Sequence, residues 1–139
     1  MERNPEELKQ RLLASNEFIS DNEIKILEFS DDHAKLEMKI DKAVLNGHGI
    51  VHGGIIFAMA DNAAAAATFT KGRLCVTLNS TINFIRPVVG EKMIVEADAI
   101  FAGRTTGVYD VKVTNDQGTL CAKASFTMYF VPENLFAGK

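Results

Sequence analysis

Hydrophobic and polar positions along the chain change period three times. Near the N-terminus the spacing is helical, with Leu8, Leu12 and Leu13 on one side of a stretch that ends near Asn16. Its start is written as Asn4-Pro5-Glu6-Glu7. Asn4 can cap, Pro5 suits the first helical position, and the two glutamates suit the positive end of the helix dipole. Over Ala34–Ile40 the period drops to two: Leu36, Met38 and Ile40 alternate with Lys35, Glu37 and Lys39, which predicts a half-buried strand. The more weakly patterned segment Asp21–Phe29 is expected to be its hairpin partner.

Ile55–Phe69 is then apolar nearly all round and predicts one long central helix. Five consecutive alanines, Ala63–Ala67, have the highest helix propensity and leave room for another element to approach closely. From Arg73 the period returns to two. Leu74, Val76, Leu78, Ile82 and Phe84 share one parity, against Cys75, Thr77, Asn79, Thr81 and Asn83. Pro87–Gly90 turns, and Met93, Val95, Ala97, Ala99 and Phe101 make the next apolar face. Ala102-Gly103-Arg104 turns again before Tyr109, Val111 and Val113. A loop at Asn115–Gly118 leads into Leu120, Ala122, Ala124, Phe126, Met128 and Phe130. The expected architecture is α+β: a strand pair, an apolar helix, then a four-strand antiparallel meander. A helix this apolar must be covered on most sides, and a curved sheet wrapped around it is the economical solution.

The chain has 139 residues, enough for a single domain that buries roughly two-thirds of its unfolded surface. No repeat, linker or second domain is evident, so one domain over 1–139 is expected, with the N-terminal helix within 1–16. A net charge of −3 gives no basic excess and argues against a nucleic-acid surface. Cys75 and Cys121 form no metal or disulfide framework and read as two half-buried reduced thiols. The start MERNPEELKQRLL lacks the pattern of a signal peptide. The longest apolar segment, Gly53–Thr70, is alanine-rich and broken by Asp61 and Asn62, a poor membrane span. A cytoplasmic location is expected by elimination.

Candidate chemistry gathers in residues 46–66, NGHGIVHGGIIFAMADNAAAA. Gly53-Gly54 falls where the central helix begins. Free backbone N–H groups there, aided by the dipole, can hold an anion or polarise a carbonyl oxygen; a tight turn is the bland alternative. Asp61 is the one charged residue of the apolar run. It is either a structural carboxylate bonded to backbone, to Asn46 or to a threonine, or a base or nucleophile. Eight residues separate it from Gly53, about 12 Å along a helix, so it cannot act on a group held at its own helix N-terminus. A two-fold dimer would bring Asp61 of one chain beside Gly53 of the other. His48 and His52 lack a third ligand, so no metal site is expected there; His52 reads as a hydrogen-bonding support and His33 as a solvated turn residue. Arg104-Thr105-Thr106 is either a plain surface turn or a phosphate contact. No nucleophile elbow, Walker loop or dinucleotide fingerprint is present.

Asn46, His52-Gly53-Gly54, Asp61, the strand Val76–Pro87 and Gly103-Arg104-Thr105 together resemble the hotdog-fold acyl-CoA thioesterases of the phenylacetate-pathway type. The resemblance spans about residues 30–130. It implies a sheet wrapped around the central helix, and a two-fold dimer with a continuous sheet that assembles to a homotetramer. Its two active sites per dimer would be built across the interface. It further implies that Gly53 N–H polarises the thioester carbonyl and that Asp61 of the facing chain is nucleophile or general base. Asn46 would position water or thioester, Thr77 would orient the attacking water, and His52 would brace the loop. Gly54, Arg104 and Thr105 would bind the substrate, Arg104 as a contact to coenzyme A phosphate. No cofactor, metal, nucleic acid or membrane is implied. The reaction expected is hydrolysis of an aryl- or medium-chain acyl-CoA to free acid and CoA. Ile55, Phe57 and Met59 are candidate walls of the acyl pocket. The rival is a non-catalytic acyl-CoA-binding or regulatory module, which would need no water-activating set. A hydratase is disfavoured because its Asp/His motif is absent.

Overall fold

The structure, a computed structural model, describes residues 4–132; residues 1–3 of the expected N-terminal segment, and 133–139, lie outside the described residues. In chain order the elements are α1 (Pro5–Ser15), α2 (Glu17–Asp21), β1 (Lys25–Ser30), β2 (His33–Lys39), α3 (Gly53–Phe69), β3 (Leu74–Phe84), β4 (Lys92–Ala102), β5 (Thr106–Asn115) and β6 (Leu120–Val131). A 3-10 turn at Lys42–Val44 precedes α3.

α1 begins as the sequence predicts: Asn4 Oδ1 accepts the Glu6 N–H at 2.8 Å, with Pro5 at the first position. Asn16 ends it and starts α2 by accepting the Ile19 N–H at 3.1 Å. This second helix takes Asp21, the first residue of the expected strand segment, and a turn at Asn22–Glu23 follows it, so β1 begins only at Lys25. Asn16 also donates to Asn62 Oδ1 at 3.0 Å, pinning the helix pair to α3.

Six antiparallel strands form one sheet in the order β1-β2-β4-β5-β6-β3. The four-strand meander is therefore corrected. β4, β5 and β6 follow one another, but β3 pairs with β6 and not with β4. The Pro87–Gly90 turn is part of a crossover rather than a hairpin. Periodicity reports which face a side chain takes but not which strand lies alongside. Placing β3 at the far side gives β6 a hydrogen-bonded neighbour on both edges.

Two bulges correct the expected faces. On β3 the register slips between Thr77 and Asn79, leaving Leu78 without a partner. Cys75 and Thr77 face α3 before the slip, and Ser80, Ile82 and Phe84 face it afterwards. Val76 and Leu78, expected on the inner face with Ile82, are instead 40% and 58% exposed. On β4 a slip between Ala99 and Phe101 turns Phe101 outward, where it is 60% exposed. A bulge inverts side-chain parity beyond it, which an alternating pattern read straight through cannot reveal.

α3 lies across the concave face, and its helix starts at Gly53, two residues earlier than Ile55. Ala60, Ala63, Ala64, Ala66 and Ala67 are wholly buried against the sheet. Their small side chains let the helix axis sit close to strands whose inward residues are themselves large, including Phe126, Met128 and Tyr109. Met59 is wholly buried core, and the Phe57 ring packs at 5.5 Å from that of Phe126. Cys75 and Cys121 are free thiols, the second fully buried rather than half-buried. No helix among the described residues is long and apolar enough to cross a membrane.

Candidate active site

The start of α3 is held by the loop before it. Asn46 N–H donates to the Ile50 carbonyl at 2.8 Å, and Asn46 Oδ1 accepts the amides of His48 (2.8 Å) and Ile50 (3.3 Å). Gly49 closes this turn at φ +77°, a conformation costly for residues with a Cβ. His52 supports the loop through its backbone, donating N–H to the Val44 carbonyl at 2.9 Å. Its side chain makes no capping bond. The His52 carbonyl accepts from Ile55 and Ile56 at 3.0 and 3.1 Å. The amides of Gly53 and Gly54 have no backbone acceptor among the described residues, as expected for the first turn of a helix.

Gly53, but not Gly54, borders a cavity of about 290 Å³ whose lining also includes Asn46, Ile56, Phe84 and Arg86. A Cβ built on Gly53 would lie 3.4 Å from the Phe84 ring, so the end of β3 abuts the start of α3. Arg86 is fixed beside the cavity by donating to the Leu120 carbonyl at 2.8 Å.

Asp61 stands elsewhere. Thr77 Oγ1 donates to Asp61 Oδ1 at 2.7 Å and also approaches Met128 Sδ at 3.4 Å. Asn46, one of the partners open from the sequence, makes no bond to Asp61; a threonine does. Cys75, two residues before Thr77 on the same inward parity, accepts from Thr68 Oγ1 at 3.3 Å. Burial and the nearby Asp61 raise its thiol above the ordinary range, so it stays protonated. Sequence reasoning passed over Met128 as a neighbour of Thr77. Only the β3–β6 register, Thr77 opposite Met128, places it there.

One chain therefore holds two separate groups: Asn46 with Gly53 at the helix start, and Asp61 with Thr77 eight residues on, about 12 Å along the axis. Arg104 and Thr105 lie in a tight turn closed by Gly103 N–H to the Thr106 carbonyl at 2.8 Å. The Thr105 carbonyl accepts from Phe130 N–H at 2.8 Å. Arg73 secures the same turn, donating to the Gly103 carbonyl at 2.8 Å with its guanidinium 4.3 Å from the Phe130 ring centroid. Arg104 is exposed, and its side chain has no hydrogen-bond or ion-pair partner among the described residues.

Residues 48–122 match the thioesterase superfamily. The chain belongs to that superfamily. A putative esterase of Archaeoglobus fulgidus is 33% identical over 130 residues, 93% of this chain and 84% of the relative. The acyl-coenzyme A thioesterase PaaI of Escherichia coli is 36% identical over 95 residues, 68% of each chain. The solved PaaI structure superposes with a TM-score of 0.88 at 26% identity, covering 92% of this chain and 94% of that one. This is a PaaI-like hotdog thioesterase, a thioester hydrolase. A hypothetical thioesterase of Streptococcus pneumoniae, solved with coenzyme A, has a TM-score of 0.75 at 31% identity and covers 78% of this chain and 88% of that one. It has also been solved with an aspartate, and separately with a threonine sixteen positions later, replaced by alanine. Asp61 and Thr77 are separated by the same sixteen positions.

Proposed function

We propose that this thioesterase hydrolyses acyl-CoA thioesters in a site shared between two copies of the chain. The observation that carries the reading is the separation of two complementary groups in one protomer. Unpaired amides mark the start of α3, and a hydrogen-bonded Asp61–Thr77 pair lies at the middle of the same helix, about 12 Å further along its axis. β3 is an 11-residue edge strand with Val76 and Leu78 exposed, the kind of edge that pairs with another chain. Antiparallel pairing of β3 with its two-fold copy would extend the sheet. It would also set Phe84 and Gly53 of one protomer near Thr77 and Asp61 of the other.

In that arrangement Gly53 N–H, at the positive end of α3, polarises the thioester carbonyl and stabilises the oxyanion that forms on attack. Asp61 of the facing chain takes a proton from water, or attacks directly. Thr77 holds one carboxylate oxygen through its own proton and offers lone pairs to the water. Asn46 Nδ2, with Oδ1 occupied by its loop, is free to donate to water or thioester. His52 braces the loop by its backbone. Gly54, Arg104 and Thr105 face the coenzyme A moiety, Arg104 as a phosphate partner. The acyl group is aryl or medium-chain, the protein is a single domain over 1–139 that acts in the cytoplasm, and dimers pair into a homotetramer. CoA-bound relatives support the substrate class.

Release of free thiol from a panel of aryl and aliphatic acyl-CoAs tests this, with wild type beside Asp61→Asn. Turnover by wild type, lost by about 10²-fold or more in the variant, is the expected result. Binding without thiol release would make the protein a non-catalytic acyl-CoA module instead.

A further inference from the structure

The sheet face turned away from α3 gathers a second group of chemistry-bearing side chains. Glu28 on β1, His33 on β2, and Glu96 and Asp98 on β4 all point outward, because Ala34, Val95 and Ala97 between them fill the core. His33 is not the solvated turn residue expected: its side chain is only 21% exposed. Its Nδ1 lies 2.7 Å from Asp98 Oδ1, and its Nε2 lies 2.6 Å from Glu28 Oε1. Glu96 Oε2 is 3.8 Å from the same Nε2. Nε2 and the two glutamate oxygens all fall within 4.8 Å of one another.

A neutral imidazole has one ring proton. With Asp98 alone facing Nδ1, that proton rests on Nδ1 and leaves the Nε2 lone pair aimed at two carboxylate oxygens. Three lone-pair donors converging on one space repel each other unless a cation lies between them. A second ring proton satisfies Glu28 but not Glu96, which is too distant for a hydrogen bond. A divalent ion satisfies all three. The cationic neighbours are Lys35, 3.8 Å from Glu28, and Lys112, the cross-strand partner of Glu96. Against three carboxylates they leave the cluster negative.

We infer that Glu28, His33 and Glu96 form a binding site for a divalent transition-metal ion such as Zn2+, with Asp98 orienting the imidazole through Nδ1. A carboxylate–imidazole–metal chain of this kind fixes the tautomer and makes Nε2 a better donor. Ligands about 2.0–2.2 Å from a tetrahedral Zn2+ sit about 3.4 Å apart. The present separations reach that value by side-chain adjustments of two long glutamates, Glu28 exposed and Glu96 half-buried. Three protein ligands leave one position to water. The ion would tie the β1–β2 hairpin to β4, and it would compete with the Nε2 proton, so binding tightens as pH rises.

The test uses untagged full-length protein stripped with a chelator and titrated with ZnCl2 by calorimetry at about pH 7.5 and about pH 5.5. Tetrahedral Co2+ absorption serves as a geometric readout. A single ion per chain, weaker binding at the lower pH, and a melting temperature that rises with Zn2+ are expected. His33→Gln and Glu96→Gln each weaken binding by about tenfold or more, while His48→Gln leaves it unchanged. Metal-free melting checks that each variant folds; should His33→Gln fail, Glu96→Gln carries the test alone. Absence of binding at both pH values, or binding that survives these substitutions, overturns the assignment.

Discussion

The Thr77 hydroxyl donates to Asp61 Oδ1 across 2.7 Å, joining the edge strand to the middle of the central helix. The bond engages one carboxylate oxygen, and in the proposed mechanism the other faces the attacking water. Thr77→Val keeps the shape and strand preference of the side chain but removes the proton donor. It is expected to lower kcat by about tenfold or more with little change in KM, and Thr77→Ser to restore most of the loss. Asp61→Asn is expected to cost more, about 10²–10⁴-fold. Steady-state kinetics on the best acyl-CoA of the panel separates these outcomes.

Gly53 gives a test aimed at one amide. It occupies the first position of α3, where proline is well tolerated, and His52 already has the extended backbone that a following proline requires. Gly53→Pro therefore deletes the N–H with little strain beyond contact with Phe84. Its kcat is expected to fall by about 10²–10³-fold while the fold survives.

If each site takes Gly53 from one chain and Asp61 from the other, two dead variants rescue each other. Refolding Gly53→Pro with Asp61→Asn as an equal mixture makes half of the dimers mixed, each with one intact site of two. About a quarter of wild-type activity should return. No recovery, with mixed dimers verified by mass, would place the whole site within one chain. In parallel, Leu78→Asp on the exposed stretch of β3 is expected to shift the protein to monomer on light scattering and to abolish turnover.

The outer-face cluster predicts a pH dependence of stability. Burial disfavours the His33 imidazolium, but hydrogen bonds to Glu28 and Asp98 outweigh it and raise its pKa above 6.5. The His33 bond lowers the pKa of Glu28 below 4.5. A raised histidine contributes stability that is full below its unfolded pKa and is lost as pH climbs through the folded value. A lowered carboxylate contributes above its unfolded pKa and is lost as pH falls through the folded one. In the presence of chelator, the melting-temperature gap between wild type and His33→Gln should be widest between these two ordinary values. It should close toward alkaline pH. A gap that stays constant with pH would show that the imidazole acts by packing alone.

Close contact between α3 and the sheet makes a steric prediction. Ala64 has no exposed surface, so Ala64→Leu inserts volume where none is free. A loss of about 1–3 kcal/mol in denaturant stability is expected. Ala65, only partly buried on the same helix, should accept leucine at much lower cost.

Much of this was legible in the chain itself. Asn4-Pro5 fixed the first helix because capping and proline chemistry are local, and the alanine run fixed α3 because propensity and small volume are properties of the residues. Gly53-Gly54 and Asp61 could be picked out, and separated by about 12 Å, from the helical rise alone. What the tertiary structure decided was non-local. Strand periodicity cannot name a neighbour, so β3 beside β6 emerged only from the sheet. An alternating pattern has no mark for an inserted residue, so the bulges at Leu78 and beside Phe101 turned expected core side chains outward. The partner of Asp61 depended on that same register, which brings Thr77 inward before the bulge. His33 read as a lone turn residue because Glu28, Glu96 and Asp98 lie on other strands, and only hydrogen bonding between strands gathers their charges into one place.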